Sequence, residues 1–477
     1  MSSTVNRERL RRLLDESSAI GLDPAAGPGL YRAALSEPDT EGREWLVSTM
    51  KDIGLEVFTD GALNIHGRLS SGTASKSVVM TGSHHDTVRG GGRLDGALGV
   101  IAGIECLARI KELGVPLKHG LEVVNFTDEE GRFGGMLGSM CLAGKLSPKE
   151  ILGMSSHDGQ RAAALLALRS GLKPESGAQQ SQKAMEEAAA KAAADAAYGS
   201  DQVHAYVELH IEQGPVLDAA GESVGVVSGI CGLWKVQAVL CGQANHAGTT
   251  PMAMRKSHPF FIIFFFLFFP SLFAAKGQRS GGNNYKLLIS MKKNKTNTNE
   301  SSWWTYGTQL VHWFGRRCVI CITKGRDAFG GCVAVRSAIP KLLEAHGSAA
   351  TVCTMGAVTV SPNVPNVVPG ECTFTVELRD ESQAVIDAMA AAVKREIASA
   401  AAQNGLEVAR LTVMSDMPPV GAHPALVSCI ADCCAASGFP GARIMPSGAA
   451  HDAQQMGTIA PSKFLLVGDF ESIRDWW

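Results

Sequence analysis

The sequence has little net charge, no repeating cysteine spacing and no apolar run of full membrane-spanning length. Across 477 residues, 44 Lys and Arg stand against 46 Asp and Glu, a formal charge of −2, and the pI lies near 6.7. Such a chain has no basic footprint, which argues against nucleic acid as a partner. Its 12 cysteines are scattered. Cys433-Cys434 and Cys318-Val319-Ile320-Cys321 are the only close pairs, so reduced thiols in a cytoplasmic protein are expected rather than a disulfide framework. The first residues, Met1-Ser2-Ser3-Thr4-Val5-Asn6-Arg7, show no apolar region of the secretory kind. The longest apolar run, Phe260 to Ala275, covers about 16 residues and contains Pro270, short of the roughly 20 that cross a bilayer. A membrane partner is therefore not expected. What remains, 45% hydrophobic and 19% charged residues, is the composition of a soluble globular chain of two or three domains.

Along residues 43–130, helical and strand periods alternate. Residues 44–53 and 99–113 have helical spacing, while 77–81 and 121–126 read as short strands running into polar motifs. Leu10, Leu13 and Leu14 mark an amphipathic first helix. Residues 181–198, rich in Ala, Lys and Glu, read as an exposed helix. From 224 to 240 the pattern turns to strands, 331–345 and 383–402 are helical, and 351–378 holds two strands around 362–370. Residues 420–467 return to α/β alternation. One α/β domain interrupted by a smaller α+β domain is the simplest arrangement. Residues 257–325 break the pattern: residues 260–269 alone hold seven of the 17 Phe, and a Lys/Asn/Thr-rich stretch follows. Arg255-Lys256 would join Asp327-Ala328 smoothly without this segment, which has the look of translated non-coding sequence.

Six polar motifs are spread over the chain: Gly82-Ser83-His84-His85-Asp86-Thr87, Arg93-Leu94-Asp95-Gly96, Asp128-Glu129-Glu130-Gly131, Glu208-Leu209-His210-Ile211-Glu212-Gln213-Gly214, His246-Ala247-Gly248-Thr249-Thr250-Pro251-Met252 and Ser447-Gly448-Ala449-Ala450-His451-Asp452. The first and third stand at predicted strand ends, where open α/β sheets place their chemistry. Together they carry the mixed imidazole and carboxylate groups that two divalent ions want. A His with a carboxylate two positions on, His84 and Asp86, is a common ligand and ring-orienting pair. Adjacent carboxylates, Glu129 and Glu130, repel unless a cation is near; one suits a ligand and the other a proton acceptor. Asp95 and His210 are further candidate ligands. His246 suits a developing oxyanion, and Arg379, after a strand, suits a substrate carboxylate. Taken singly each has a bland alternative: a loop histidine, a turn Asp, a solvated acidic turn, a structural His, or, for Asn366, a turn signal.

Combined and in this order, the motifs resemble the M20 metallopeptidase superfamily, within it the amidase/hydantoinase/carbamoylase branch, over residues 7–256 and 327–467. The branch includes N-carbamoyl-L-amino-acid hydrolases and allantoate and ureidoglycolate amidohydrolases. The resemblance implies an α/β catalytic domain with a mixed sheet flanked by helices, in two segments (1–221 and 412–477), interrupted by an α+β lid and dimerisation domain (222–411). It implies two divalent ions, zinc or manganese with cobalt also suited, held by His84, Asp95, Glu130 and His210, with Asp95 bridging. It implies Glu129 as general base, Asp86 as the partner of His84, and His246 as a lid histidine reaching a neighbouring subunit. Asn366, Arg379 and His451 then bind substrate, and a homodimer follows. Three departures stand out: no Gly-Ile-Ser-His-like motif with a last ligand His in residues 469–477, a loop about two residues shorter after Glu130, and the 257–325 segment inside the lid. The expected activity is hydrolysis of a ureido or amide C–N bond in a small carboxylate substrate, N-carbamoyl-L-amino acids foremost. Allantoate or ureidoglycolate hydrolysis, peptide hydrolysis, or an inactive product are the alternatives.

Overall fold

A computed structural model describes residues 5–22, 29–73, 75–172, 178–252 and 326–467, with the backbone of three strands between 302 and 321. The apolar run at 260–275 and residues 469–477 lie outside the described residues. Two compact units form: Met1–Leu233, Arg379–Ile386 and Asp416–Trp477 in one, Trp234–Leu378 and Asp387–Ser415 in the other.

The first unit begins with α1 (Arg7–Ala19), whose N-cap Asn6 accepts from Arg9 N–H. Helix α2 (Glu37–Asp52) starts well before the 44–53 periodicity. Its start is set by Ser36, whose hydroxyl accepts from Asp39 N–H, and by a proline in the first turn, both strong helix-start signals. Then come β1 (Glu56–Thr59), β2 (Ile65–Leu69), β3 (Val78–His84), α3 (Ala97–Leu113), β4 (Gly120–Phe126), α4 (Leu137–Leu142), α5 (Pro148–Gly153), α6 (Ala162–Arg169), α7 (Ala178–Asp195), β5 (Val203–Ile211), α8 (Val216–Ala220) and β6 (Val224–Ile230). The Ala-rich helix α7 is not the exposed helix its composition suggested. Ala188, Ala189 and Ala192 are buried and pack with α5 and α6, because methyl-sized side chains let helices approach closely.

The second unit contains β7 (Gly232–Cys241), β8 (Asn245–His246), the meander β9 (Ser302–Tyr306), β10 (Gln309–Phe314) and β11 (Arg317–Cys321), then α9 (Ala328–His346), β12 (Val352–Ser361), β13 (Val367–Val368), β14 (Glu371–Asp380), α10 (Gln383–Asn404) and β15 (Glu407–Met417). Strands in the order β12-β14-β7-β15 form a four-stranded sheet, which with α9 and α10 gives the expected α+β layer. The chain returns to the first unit through β16 (Val420–Gly421), α11 (Pro424–Ala436), β17 (Arg443–Ser447), α12 (Asp452–Met456) and β18 (Ser462–Val467).

A nine-stranded mixed sheet, ordered β1-β2-β4-β3-β5-β18-β6-β16 with β17 also on β6, organises the first unit. Strand β3 is parallel to β4 and β5, with Phe126 opposite His84, and β5 is parallel to β18, with Leu466 opposite His210. The carboxyl ends of β3, β4 and β5 thus open at one end of the sheet, and so do the motifs attached to them. Alternate residues feed two cores. Val123 and Ile65 pack with Leu98, Ile101, Ile104 and Leu107 of α3 on one face, and Val124, Phe126, Met80 and Tyr206 pack together on the other. Burial of each such α3 side chain contributes about 1.5–3 kcal/mol gross. Helix α3 lies close to the sheet because of its glycines: a Cβ on Gly103 would stand 2.8 Å from Val123 Cγ2. Among the described residues no helix is long and apolar enough to cross a membrane, and the described cysteines are free thiols.

Candidate active site

His84 is the last residue of β3. Its Nδ1 stands 3.0 Å from the Asp86 main-chain carbonyl, an oxygen that can only accept, so Nδ1 carries the proton and Nε2 presents its lone pair. His210, near the end of β5, is held in the same tautomer by the Ile211 carbonyl at 2.9 Å from Nδ1. His84 Nε2 faces Glu129 Oε2 at 3.5 Å, and His210 Nε2 faces Asp95 Oδ1 at 3.4 Å. Asp95 lies in the turn that starts α3. Gly96 follows at φ 63°, and a Cβ there would overlap the His84 ring, so only glycine lets the turn pass so close. Gln213 Nε2 donates to both Asp95 oxygens at 2.8 and 2.9 Å.

The loop after β4 carries Glu129 and Glu130. Its main-chain N–H groups at Glu129 and Glu130 donate to the Asp86 carboxylate at 3.4 and 3.2 Å. Asp86 therefore orients His84 through its carbonyl and holds the acidic loop through its carboxylate, which is 3.8 Å from His84 Nδ1. Glu208, two residues before His210 on β5, accepts from Ser83 Oγ (2.7 Å), Tyr206 OH (3.0 Å) and Ala453 N–H (2.9 Å). His451 completes the wall: its Nε2 is 3.0 Å from Ser447 Oγ, and its ring centroid is 4.4 Å from that of His210.

The ligand atoms of His84, Asp95 and His210 all lie within 4.8 Å of one another, as do those of Glu208, His210 and His451. Glu130 Oε1 is buried with no hydrogen-bond partner among the described residues. Burial pushes Asp86 and Glu208 up to about 7. Burial, then the mutual repulsion of Asp452, Glu130, Asp86 and Glu208, holds Glu129 well above the usual carboxylate range. Burial and the neighbouring His84 bring His210 down to about 4, and His451 is held far below its ordinary value by burial. Imidazoles that turn Nε2 outward among crowded carboxylates form a donor set that a divalent cation satisfies. The residues fit such an ion.

Of the residues singled out in the sequence, the fold brings His84, Asp86, Asp95, Glu129, Glu130, His210 and His451 to this one sheet end. Arg379, at the end of β14, donates from Nη1 to Gly448 O at 2.8 Å, beside the loop that carries His451. His246 and Asn366 belong to the second unit. There His246 sits opposite Val367 in the β8–β13 pair, and Ala247 N–H donates to Asn366 O at 2.8 Å. Glu208, Asp452 and Gln213 had not been singled out. Period-two alternation on β5 would have put Glu208 on the face of His210.

Sheet, strand-end motifs and donor set together place a candidate divalent-cation site at the carboxyl end of an α/β sheet. Residues 80–473 match the peptidase family M20/M25/M40, and the chain belongs to that family. The N-carbamoyl-L-amino acid amidohydrolase of Geobacillus stearothermophilus is 31% identical over 97% of this chain and 91% of its own length. The allantoate amidohydrolase of Escherichia coli K12 is 27% identical over 98% and 91%. A solved amidase of the hydantoinase/carbamoylase family from Burkholderia multivorans superposes with a TM-score of 0.71 at 28% identity, covering 99% of this chain and 92% of that one. Within the family the chain is thus of the hydantoinase/carbamoylase amidase branch, hydrolases of C–N bonds that use divalent metal, as the motif resemblance implied.

Proposed function

We propose that the protein hydrolyses the ureido C–N bond of an N-carbamoyl-L-amino acid. The observation that carries this reading is the convergence of His84, Asp95, His210 and the Glu129-Glu130 pair at one sheet end, with both histidines presenting Nε2. His84, Asp95, Glu130 and His210 would hold two divalent ions. Such ions, zinc, manganese or cobalt, lower the pKa of water and polarise a carbonyl oxygen.

The chain's own residues supply the rest. Glu129, whose carboxyl is raised by burial and its acidic neighbours, takes a proton from the attacking water and returns it to the leaving nitrogen. Asp86 holds the loop that aims Glu129. Arg379, steadied on the Gly448 carbonyl, takes the substrate carboxylate with His451, and Asn366 is proposed separately as a substrate-binding residue. His246 donates to the developing oxyanion from the lid of a neighbouring subunit, which makes the active form a homodimer. The N-carbamoyl-L-amino acid amidohydrolase of Geobacillus stearothermophilus, at 31% identity against 27% for the allantoate amidohydrolase of Escherichia coli K12, supports an N-carbamoyl amino acid over allantoate.

The test is turnover by the purified full chain supplied with Zn²⁺ or Mn²⁺, comparing N-carbamoyl-L-amino acids, allantoate and dipeptides. Release of free amino acid and ammonia from the N-carbamoyl substrates, faster than allantoate is consumed, is expected. Faster allantoate turnover overturns the substrate assignment; dipeptide cleavage without ureide cleavage overturns the amidase assignment.

A further inference from the structure

Two arginines from the N-terminal part of the chain stand behind the ligand-bearing loops. Arg32 is fully buried. Its Nε donates to His85 O at 2.9 Å, and its Nη1 donates to Ser17 O and Ile20 O at 3.1 and 2.8 Å, at the end of α1. Its main chain is tied to the same loop: Arg32 N–H donates to Thr87 Oγ1 at 2.8 Å, and Thr87 N–H donates to Arg32 O at 3.0 Å. Arg43, on α2, donates to Asp39 Oδ2 at 2.7 Å, Leu63 O at 2.6 Å and Thr127 Oγ1 at 3.1 Å. Thr127 immediately precedes Asp128-Glu129-Glu130. Its own N–H donates to Asn64 Oδ1 at 3.0 Å.

These contacts close a ring. Arg32 grips residues 85–87; the Asp86 carboxylate takes the N–H groups of Glu129 and Glu130; Thr127 leads to Arg43; and Arg43 binds Asp39, whose charge faces Arg32 as that of Asp86 does. Buried carbonyls left without their guanidinium donors would have to move to find partners, and the loops would move with them. The arginine fork fixes several oxygens in one plane, which an ammonium cannot do.

We propose that Arg32 and Arg43 are positioning residues that set the spacing between the His84 loop and the Glu129-Glu130 loop, and thereby the affinity for divalent metal. This rests on the assignment of His84, Asp95, Glu130 and His210 as ligands. Neither arginine touches substrate.

The experiment uses the full chain as wild type, Arg32→Met and Arg43→Met, with the milder Thr87→Val and Thr127→Val, which remove only the hydroxyl partners. Zn²⁺ and Mn²⁺ dissociation constants are measured by equilibrium dialysis of metal-free protein, beside Tm, kcat and KM. Loss of partners one step removed from the ligands weakens metal binding about 10- to 100-fold. That loss is expected in the arginine variants and a smaller one in the threonine variants, with kcat following occupancy and KM nearly unchanged. Lower Tm with wild-type metal affinity of the folded protein makes the arginines merely structural and overturns the proposal. Where an arginine variant fails to fold, the threonine variants decide: weakened metal binding supports it, unchanged binding overturns it. A wild-type chain that binds neither ion overturns the ligand assignment itself.

Discussion

Single side chains carry two sharp expectations. Glu129 is the proton carrier, so Glu129→Gln should lower kcat by about 10²- to 10⁴-fold while bound metal, read by elemental analysis, stays at the wild-type level. A loss smaller than tenfold contradicts the role. The second concerns stability. His66 is buried between Glu122 Oε1 at 2.8 Å and Asp60 Oδ2 at 3.2 Å, stacked on Phe58. Burial works against its charged form, but the hydrogen bonds to Asp60 and Glu122 outweigh it and bring the ring up to about 9. A folded-state value above the unfolded one means the contribution is complete below about pH 6.5 and is lost as pH rises through about 9. The Tm gap between wild type and His66→Gln should therefore be widest near about pH 6 and shrink toward about pH 10; a gap that widens with pH refutes it. At this scale the candidate site was largely legible, because His, Asp and Glu in close motifs announce their chemistry. Arg32 and Arg43 were not legible: an arginine that serves main-chain carbonyls has no local pattern to betray it.

Among the elements, α3 and its entry turn matter most to the site. Gly96 admits the His84 ring beside the Asp95 turn, and Gly99 lies so close to the sheet that a Cβ would stand 2.9 Å from that of Ser83 and overlap the Leu209 carbonyl. Gly96→Ala should weaken metal binding more than Gly99→Ala. The latter pushes α3 off β3 and β5 and should appear first as a lower Tm. Calorimetry beside metal titration of both variants checks the order. Helices α1, α3, α9 and α10 and strands β3 and β4 followed from periodicity, whereas β1, β2, α4, α5, α6 and β5 had no such reading. In helix α2, residues 37–43 lie ahead of the regular apolar spacing, and only the Ser36 cap and the first-turn proline mark its start. The composition of helix α7 reads as an exposed helix because alanine is a strong helix former whatever its surroundings, whereas burial of an alanine stripe depends on what packs against it.

For the whole molecule, metal and assembly are the measurable quantities. Chelation of the purified chain should abolish C–N hydrolysis, and addition of Zn²⁺, Mn²⁺ or Co²⁺ should restore it; activity that survives exhaustive chelation contradicts the assignment. Light scattering coupled to gel filtration should return the mass of a homodimer, since His246 is proposed to act across subunits. A chain shortened so that Lys256 runs into Arg326 should keep the ellipticity of the α+β layer, because β7, β8 and α9–β15 remain, as does the main-chain pairing of Arg326 with Gln243.

The sequence by itself determined the family through its motif set and the α/β class through its periodicity, and it supplied the candidate ligand types. Residue chemistry and strand-end position are local properties that survive in a linear string. Only the tertiary structure decided that Asp86 holds the Glu129-Glu130 loop with its carboxylate and His84 with its carbonyl. It alone decided that Glu208 shares the wall of His210 and His451, and that Arg32 and Arg43 brace the loops from behind. The longest of those relations join residues 84 and 245 positions apart, and such contacts arise only once the parallel strands fix which loops are neighbours.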